Sequence, residues 1–87
     1  MFNLILSKKS EKDLKRLQKN PKLLKKLFEI FRDLETDPYS PRFKMEKLKY
    51  NLQDHFSKRL DKKNRVIYKV VDEKVVVSVI SILGHYE

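Results

Sequence analysis

The chain has 87 residues and carries 21 Lys plus Arg against 12 Asp plus Glu, a formal charge of +9. This reads as one small basic domain, residues 1–87, for which a polyanionic partner is expected, either nucleic acid or an acidic protein. With no cysteine and one glycine, a disulfide framework, a thiolate metal site and a glycine-rich phosphate loop are all excluded. No run approaches the roughly 20 apolar residues of a membrane span. The opening FNLILS is too short for a signal-peptide core, and its lysines follow the apolar run instead of preceding it. The expectation is a cytoplasmic protein without a membrane partner. The apolar share of 40% is enough for a single core, although a chain this short buries only about 60–65% of its unfolded surface. The charge falls in two blocks. Lys8 to Lys26 carries nine basic and two acidic residues, and Arg42 to Lys69 carries ten and three.

In chain order, Phe2 to Leu6 reads as a short strand, too apolar on both faces to lie at an exposed edge. Ser7 or Ser10 can cap a first helix, with Glu11 and Asp13 in the opening turn where the helix dipole favours carboxylates. That helix should end near Asn20 and present a narrow apolar face, Leu14 and Leu17. Asn20-Pro21 restarts the chain as an N-cap followed by proline at the first helical position. Leu23, Leu24, Leu27, Phe28, Ile30, Phe31 and Leu34 then make a wide apolar stripe at helical spacing, which reads as core covering a sheet. The second helix ends by Asp37-Pro38, and a proline-set loop follows. Strands are expected over Met45–Leu52, Phe56–Asp61, Arg65–Val71 and Lys74–Leu83, separated by short polar turns. The last is the richest in β-branched residues and so the expected central strand. The order is β-α-α-β-β-β-β, an α+β domain. Its N-terminal strand and two-helix hairpin should pack on one face of a twisted antiparallel sheet, leaving the other face partly open for a site.

The chemistry-bearing residues lie between Phe43 and Tyr86. Two histidines thirty residues apart and no cysteine make a poor ligand set, so no metal or other cofactor is expected. No serine sits in a nucleophile-elbow context. What these residues can support is acid–base chemistry on a phosphodiester. RNA supplies its own nucleophile, the 2′-hydroxyl, so an enzyme needs a base, cations for the charge building on phosphorus and an acid for the leaving 5′-oxygen. Glu46 among Lys44, Lys47 and Lys49 would stay ionised as base. Arg59 and Arg65 offer forked donors for phosphate oxygens. His85 can act as acid, and Tyr86 can position the phosphate or stack on a base. Each also has an ordinary reading: Glu46 as a surface ion-pair partner, the arginines as solvated strand residues, His85-Tyr86 as a frayed end, His55 as a turn residue without a role. Composition alone goes no further than a basic binder of nucleic acid or acidic protein.

The string Glu46-Lys47-Leu48-Lys49, Asn51-Leu52, Ser57-Lys58-Arg59, Asn64-Arg65-Val66-Ile67-Tyr68 and Gly84-His85-Tyr86 resembles the Txe/YoeB family. These are toxins of type II toxin–antitoxin systems within the RelE/ParE superfamily. The resemblance is dense from Asp37 to Tyr86; before that only the pattern matches, a strand followed by two helices. It implies a RelE/ParE-like fold and a ribosome-dependent endoribonuclease, an mRNA interferase that needs no metal. It further implies Glu46 as base, Arg65 on the phosphate, His85 as acid and Tyr86 assisting, with Lys49 and Arg59 as accessory substrate-binding positions. The partners implied are the ribosome, messenger RNA and a cognate antitoxin whose acidic C-terminal segment folds over the toxin; members are often homodimers when free. One departure is local: a glycine and a tryptophan common before the serine are His55 and Phe56 here. Two other functions compete, a ParE-like gyrase inhibitor with the same fold and a basic binding module without activity. A gyrase inhibitor has no need of Glu46 together with His85-Tyr86.

Overall fold

The computed structural model describes residues 2–49, 54–72 and 76–81. They form β1 (Asn3–Leu6), α1 (Lys8–Leu17), α2 (Pro21–Thr36), β2 (Glu46–Lys47), β3 (His55–Arg59), β4 (Arg65–Asp72) and β5 (Val76–Ser81). The expected order of elements is therefore present, and the class is α+β. The strands build one sheet in the order β1-β5-β4-β3-β2.

Pairing is antiparallel from β2 through β5. β1 differs from the expected all-antiparallel sheet, because it runs parallel to β5 in the register Asn3↔Val76 to Leu6↔Val79. A parallel neighbour needs a long connection, and here nearly the whole chain lies between the two strands. The expectation that β1 avoids an exposed edge is also corrected. It is an edge strand that alternates, with Asn3 outward and Ile5 54% exposed, while Leu4 and Leu6 pack toward the core. Helix α2 closes over its start, where Phe2 N donates to Glu35 O at 2.8 Å. β4 is the middle strand; β5, expected to be central, lies beside it and is likewise paired on both sides.

Both helices begin as their caps dictate. Ser7 Oγ accepts from Ser10 N at 3.0 Å, and Asn20 Oδ1 accepts from Leu23 N at 3.2 Å with Pro21 following. The first helix stops at Leu17, short of Asn20. Its buried side is more polar than Leu14 and Leu17 alone imply, since Ser10 and Asp13 are also buried, Asp13 accepting from Lys9 Nζ at 2.8 Å. In α2, Leu27, Ile30 and Leu34 are fully buried and Leu23, Leu24 and Phe31 partly so, while Phe28 is 52% exposed and leaves the stripe for solvent. Asn20 is itself exposed, and its side chain acts as the cap through Leu23 N. Asn20→Ala is therefore expected to cost about 1 kcal/mol, read as a fall of roughly 4–8 °C in Tm for a domain of this size.

The core joins Leu17, Leu27, Ile30 and Leu34 to Leu60, Val66 and Tyr68, with Phe56 and Val70 against them. Each such side chain contributes about 1.5–3 kcal/mol of burial. Phe56, Lys58, Val66 and Tyr68 alternate onto this helix-covered face. His55, Ser57, Arg59, Arg65, Ile67 and Lys69 therefore hold the opposite face by the period of two. Between β3 and β4 the loop is wider than the expected three residues, so Arg59 pairs directly with Arg65. Asp61 closes it, its Oδ1 accepting from Lys63 N at 2.8 Å and Asn64 N at 2.7 Å. Burial raises the Asp61 carboxyl, but the hydrogen bonds from Lys63 and Asn64, with Lys26 nearby, hold it below its ordinary value.

Candidate active site

The face of β2–β3–β4 turned away from the helices gathers the charged groups; expected to be partly open, it is buried at its centre, where Ser57 and Ile67 are shielded from solvent. Glu46 lies opposite Ser57, Ser57 opposite Ile67, and Arg59 opposite Arg65. Two like charges directly across a ladder repel. The Arg59–Arg65 pair therefore costs energy that an anion between or above the two would recover. Glu46 reaches this pair: its Oε1 lies 3.7 Å from Arg65 Nη1, an ion-pair distance longer than a hydrogen bond. Among the described residues Arg65 is the cation paired with Glu46. The flanking Lys44, Lys47 and Lys49, expected to hold its charge, form no ion pair with it.

Three polar atoms on this face are shut away from solvent with no hydrogen-bond partner among the described residues: Ser57 Oγ, Arg59 Nε and Arg65 Nη1. A buried donor left unsatisfied costs about 1–3 kcal/mol. Guanidinium N–H groups in that state match the oxygens of a phosphate or carboxylate. The face thus sets two guanidinium groups with unpartnered N–H atoms beside one carboxylate.

Local geometry delivers Glu46 to this position. Phe43 and Lys44 both adopt left-handed backbone, φ 59° and 51°, so the chain bends sharply before β2. Arg59 N donates to Phe43 O at 2.6 Å, and beyond the strand Leu48 N donates to His55 O at 2.9 Å. Beneath the site, on the helix side, Lys58 is fully buried. Its Nζ donates to Ser40 O at 2.9 Å, Ser40 Oγ at 3.1 Å and Arg42 O at 2.9 Å, and pairs with Asp33 Oδ2 at 3.0 Å. Ser40 Oγ in turn donates to Asp33 Oδ2 at 2.6 Å.

Tyr68 stands on the same covered face, its hydroxyl donating to Pro38 O at 2.6 Å and its ring stacked on Phe56 at 5.7 Å. Burial pushes the Tyr68 phenol far above its ordinary value, with Asp33, Asp37 and Tyr39 adding to the effect. It is a fixed structural donor and not an acid for catalysis.

Of the residues singled out in the sequence, Glu46, Arg59 and Arg65 come together. Lys49 is exposed just past β2. His55 opens β3 on the same face as the arginines, opposite Lys69, rather than sitting in a turn. His85 and Tyr86 lie outside the described residues. Sequence reasoning missed Asp33, Ser40, Ser57 and Lys58. A signal was there for two of them: Lys58 falls between Phe56 and Leu60 on the core period of its strand, and Asp33 interrupts the apolar stripe of α2 beside Leu34.

Comparison with known proteins agrees with this architecture. The family described as YoeB-like toxin of bacterial type II toxin-antitoxin system matches residues 7–86. Toxin YoeB of Escherichia coli O6:H1 is 33% identical over 78 residues, 88% of this chain and 93% of that protein. The YoeB/ParE toxin from Agrobacterium tumefaciens superposes with a TM-score of 0.90 over 99% of this chain and 100% of its own; at 24% identity it speaks for the fold. The heterotetrameric YoeB-YefM toxin-antitoxin complex from Staphylococcus aureus contains a chain 30% identical, with a TM-score of 0.84 over 99% of each. On the family match across residues 7–86 and the identity to Toxin YoeB, this chain belongs to the YoeB-like toxins of bacterial type II toxin–antitoxin systems.

Proposed function

We propose that this chain is an endoribonuclease toxin that cleaves messenger RNA on the ribosome, in the cytoplasm, by acid–base chemistry at the face of its sheet opposite the helices. Glu46 takes the proton from the 2′-hydroxyl, whose oxygen attacks the adjacent phosphorus. The bond from phosphorus to the 5′-oxygen breaks as His85 returns a proton to that oxygen, leaving a 2′,3′-cyclic phosphate and a free 5′-hydroxyl. Arg65 and Arg59 carry the charge that builds on the phosphoryl oxygens. Lys49 holds the neighbouring backbone, and Tyr86 assists at the phosphate. The observation that carries this reading is the approach of Glu46 to Arg65 on a face where Arg59 and Arg65 keep buried N–H groups unsatisfied.

The partner that restrains the activity is an antitoxin, as the Staphylococcus aureus relative forms a toxin-antitoxin complex with YefM. A net charge of +9 favours an acidic segment of that antitoxin lying over the toxin. Mapping 5′ ends on messenger RNA in a translation extract tests the activity. The wild-type chain is expected to generate new ends in translated message only, and His85→Gln to generate none. Arrested synthesis with intact message and trapped gyrase–DNA complexes would instead establish the gyrase-inhibitor reading.

A further inference from the structure

We propose that Lys58 is a positioning residue for this site, which by gripping the 40–42 backbone from below fixes the register that sets Glu46 against Ser57 and Arg65. The inference rests on Glu46 being the base of the proposed reaction. β2 is two residues long and lies at the sheet edge. A ladder that short specifies its own register weakly, and a slip of one residue would turn Glu46 to the helix side and bring Lys47 opposite Ser57. Something outside β2 must hold it.

The chain just before it is the part that is held. Lys58 Nζ directs its donors at Ser40 O, Ser40 Oγ and Arg42 O, with Asp33 balancing the charge. The next residue of the same strand, Arg59, donates its amide N–H to Phe43 O. Only Phe43, Lys44 and Met45 separate this anchor from Glu46. Two of those three are non-glycine residues in left-handed backbone, a conformation that persists where the surroundings over-determine it. The strand that clamps the loop on its helix side also carries Ser57 and Arg59 on the opposite side. The anchor and the site are thus two faces of one strand. Lys58 is fully buried on the helix side and cannot itself meet RNA. A buried ion pair is also a poor device for stability alone, since apolar replacements commonly equal it; a fixed register explains why a lysine stands there.

The test is the full chain carrying Lys58→Met with Asp33→Asn, a combination that leaves no buried charge unpaired. Hydrogen exchange at the Arg59 and Leu48 amides should quicken by at least about tenfold while the β3–β4 ladder stays protected. Cleavage should slow by about 10–100-fold with RNA affinity unchanged. Adding Glu46→Gln to the double variant should lower the rate no further than Glu46→Gln does alone, because both changes remove the same function. Unchanged exchange at those two amides overturns the proposal, and so does a loss that multiplies with that of Glu46→Gln. If the wild-type chain cleaves no RNA the proposed activity fails, while the exchange measurement still decides whether Lys58 sets the register.

Discussion

Glu46→Gln is expected to slow messenger cleavage by about 10²–10⁴-fold, the usual contribution of a positioned general base. The fold should hardly register the change. The Glu46 side chain is 59% exposed, and its contact with Arg65 spans 3.7 Å. A pair that exposed is worth about 0–1 kcal/mol, so the melting transition should stay close to that of the wild type. RNA binding should be retained or strengthened, because losing the carboxylate frees the Arg65 guanidinium from its nearest counter-ion. The effect should therefore fall on kcat, with KM unchanged or lower. That split separates the proposed chemistry from a basic binding module, for which Glu46 is one surface carboxylate among twelve acidic residues. Full cleavage by Glu46→Gln, or a loss seen only as weaker binding, would remove Glu46 from the reaction.

The fold was legible where local pattern and tertiary demand coincide. Asn20-Pro21 and the stripe through Leu27, Ile30 and Leu34 specify α2 without reference to the rest of the chain. The run from Phe56 onward, bounded by polar turns, specifies β3. The wider β3–β4 loop did no harm: β3 ends at Arg59, two residues before the expected Asp61, and a change of two keeps every side chain on its face. The strand neighbours of β1 were not legible, because its partner Val76–Ser81 lies some seventy residues away and nothing local marks a parallel pairing.

The site divides along the same line. Glu46, Arg59 and Arg65 could be picked out as chemistry on a strand face, but their ladder positions depend on loops whose lengths the sequence does not state. Lys58 was passed over because a lysine in a half-buried strand is ordinarily solvated. Only its burial beside Asp33, an acid in an otherwise apolar stripe, reveals a different role. The two residues had to be paired with each other, across 25 positions, to be understood.

That pairing yields the second large effect. Lys58→Met alone is expected to destabilise the fold by about 3–5 kcal/mol, the cost of leaving a buried partner charge uncompensated. Asp33 is only 7% exposed at its side chain. Arg42, at 3.7 Å and 67% exposed, is too distant and too solvated to replace the lysine. The carbonyls of Ser40 and Arg42 would also lose their donor. A chain this small stands at the low end of the usual range of about 5–15 kcal/mol, so the single variant should melt early and populate unfolded forms at 37 °C. Adding Asp33→Asn removes the stranded charge while leaving Ser40 Oγ an oxygen to donate to, and should restore most of the loss. Urea denaturation of the wild type, both single variants and the double variant measures this directly. The cycle should return a coupling of at least about 2 kcal/mol between the two positions. A loss below about 1 kcal/mol in Lys58→Met would mean that the ammonium is solvated in the native molecule, and the grip on the loop that places Glu46 would go with it.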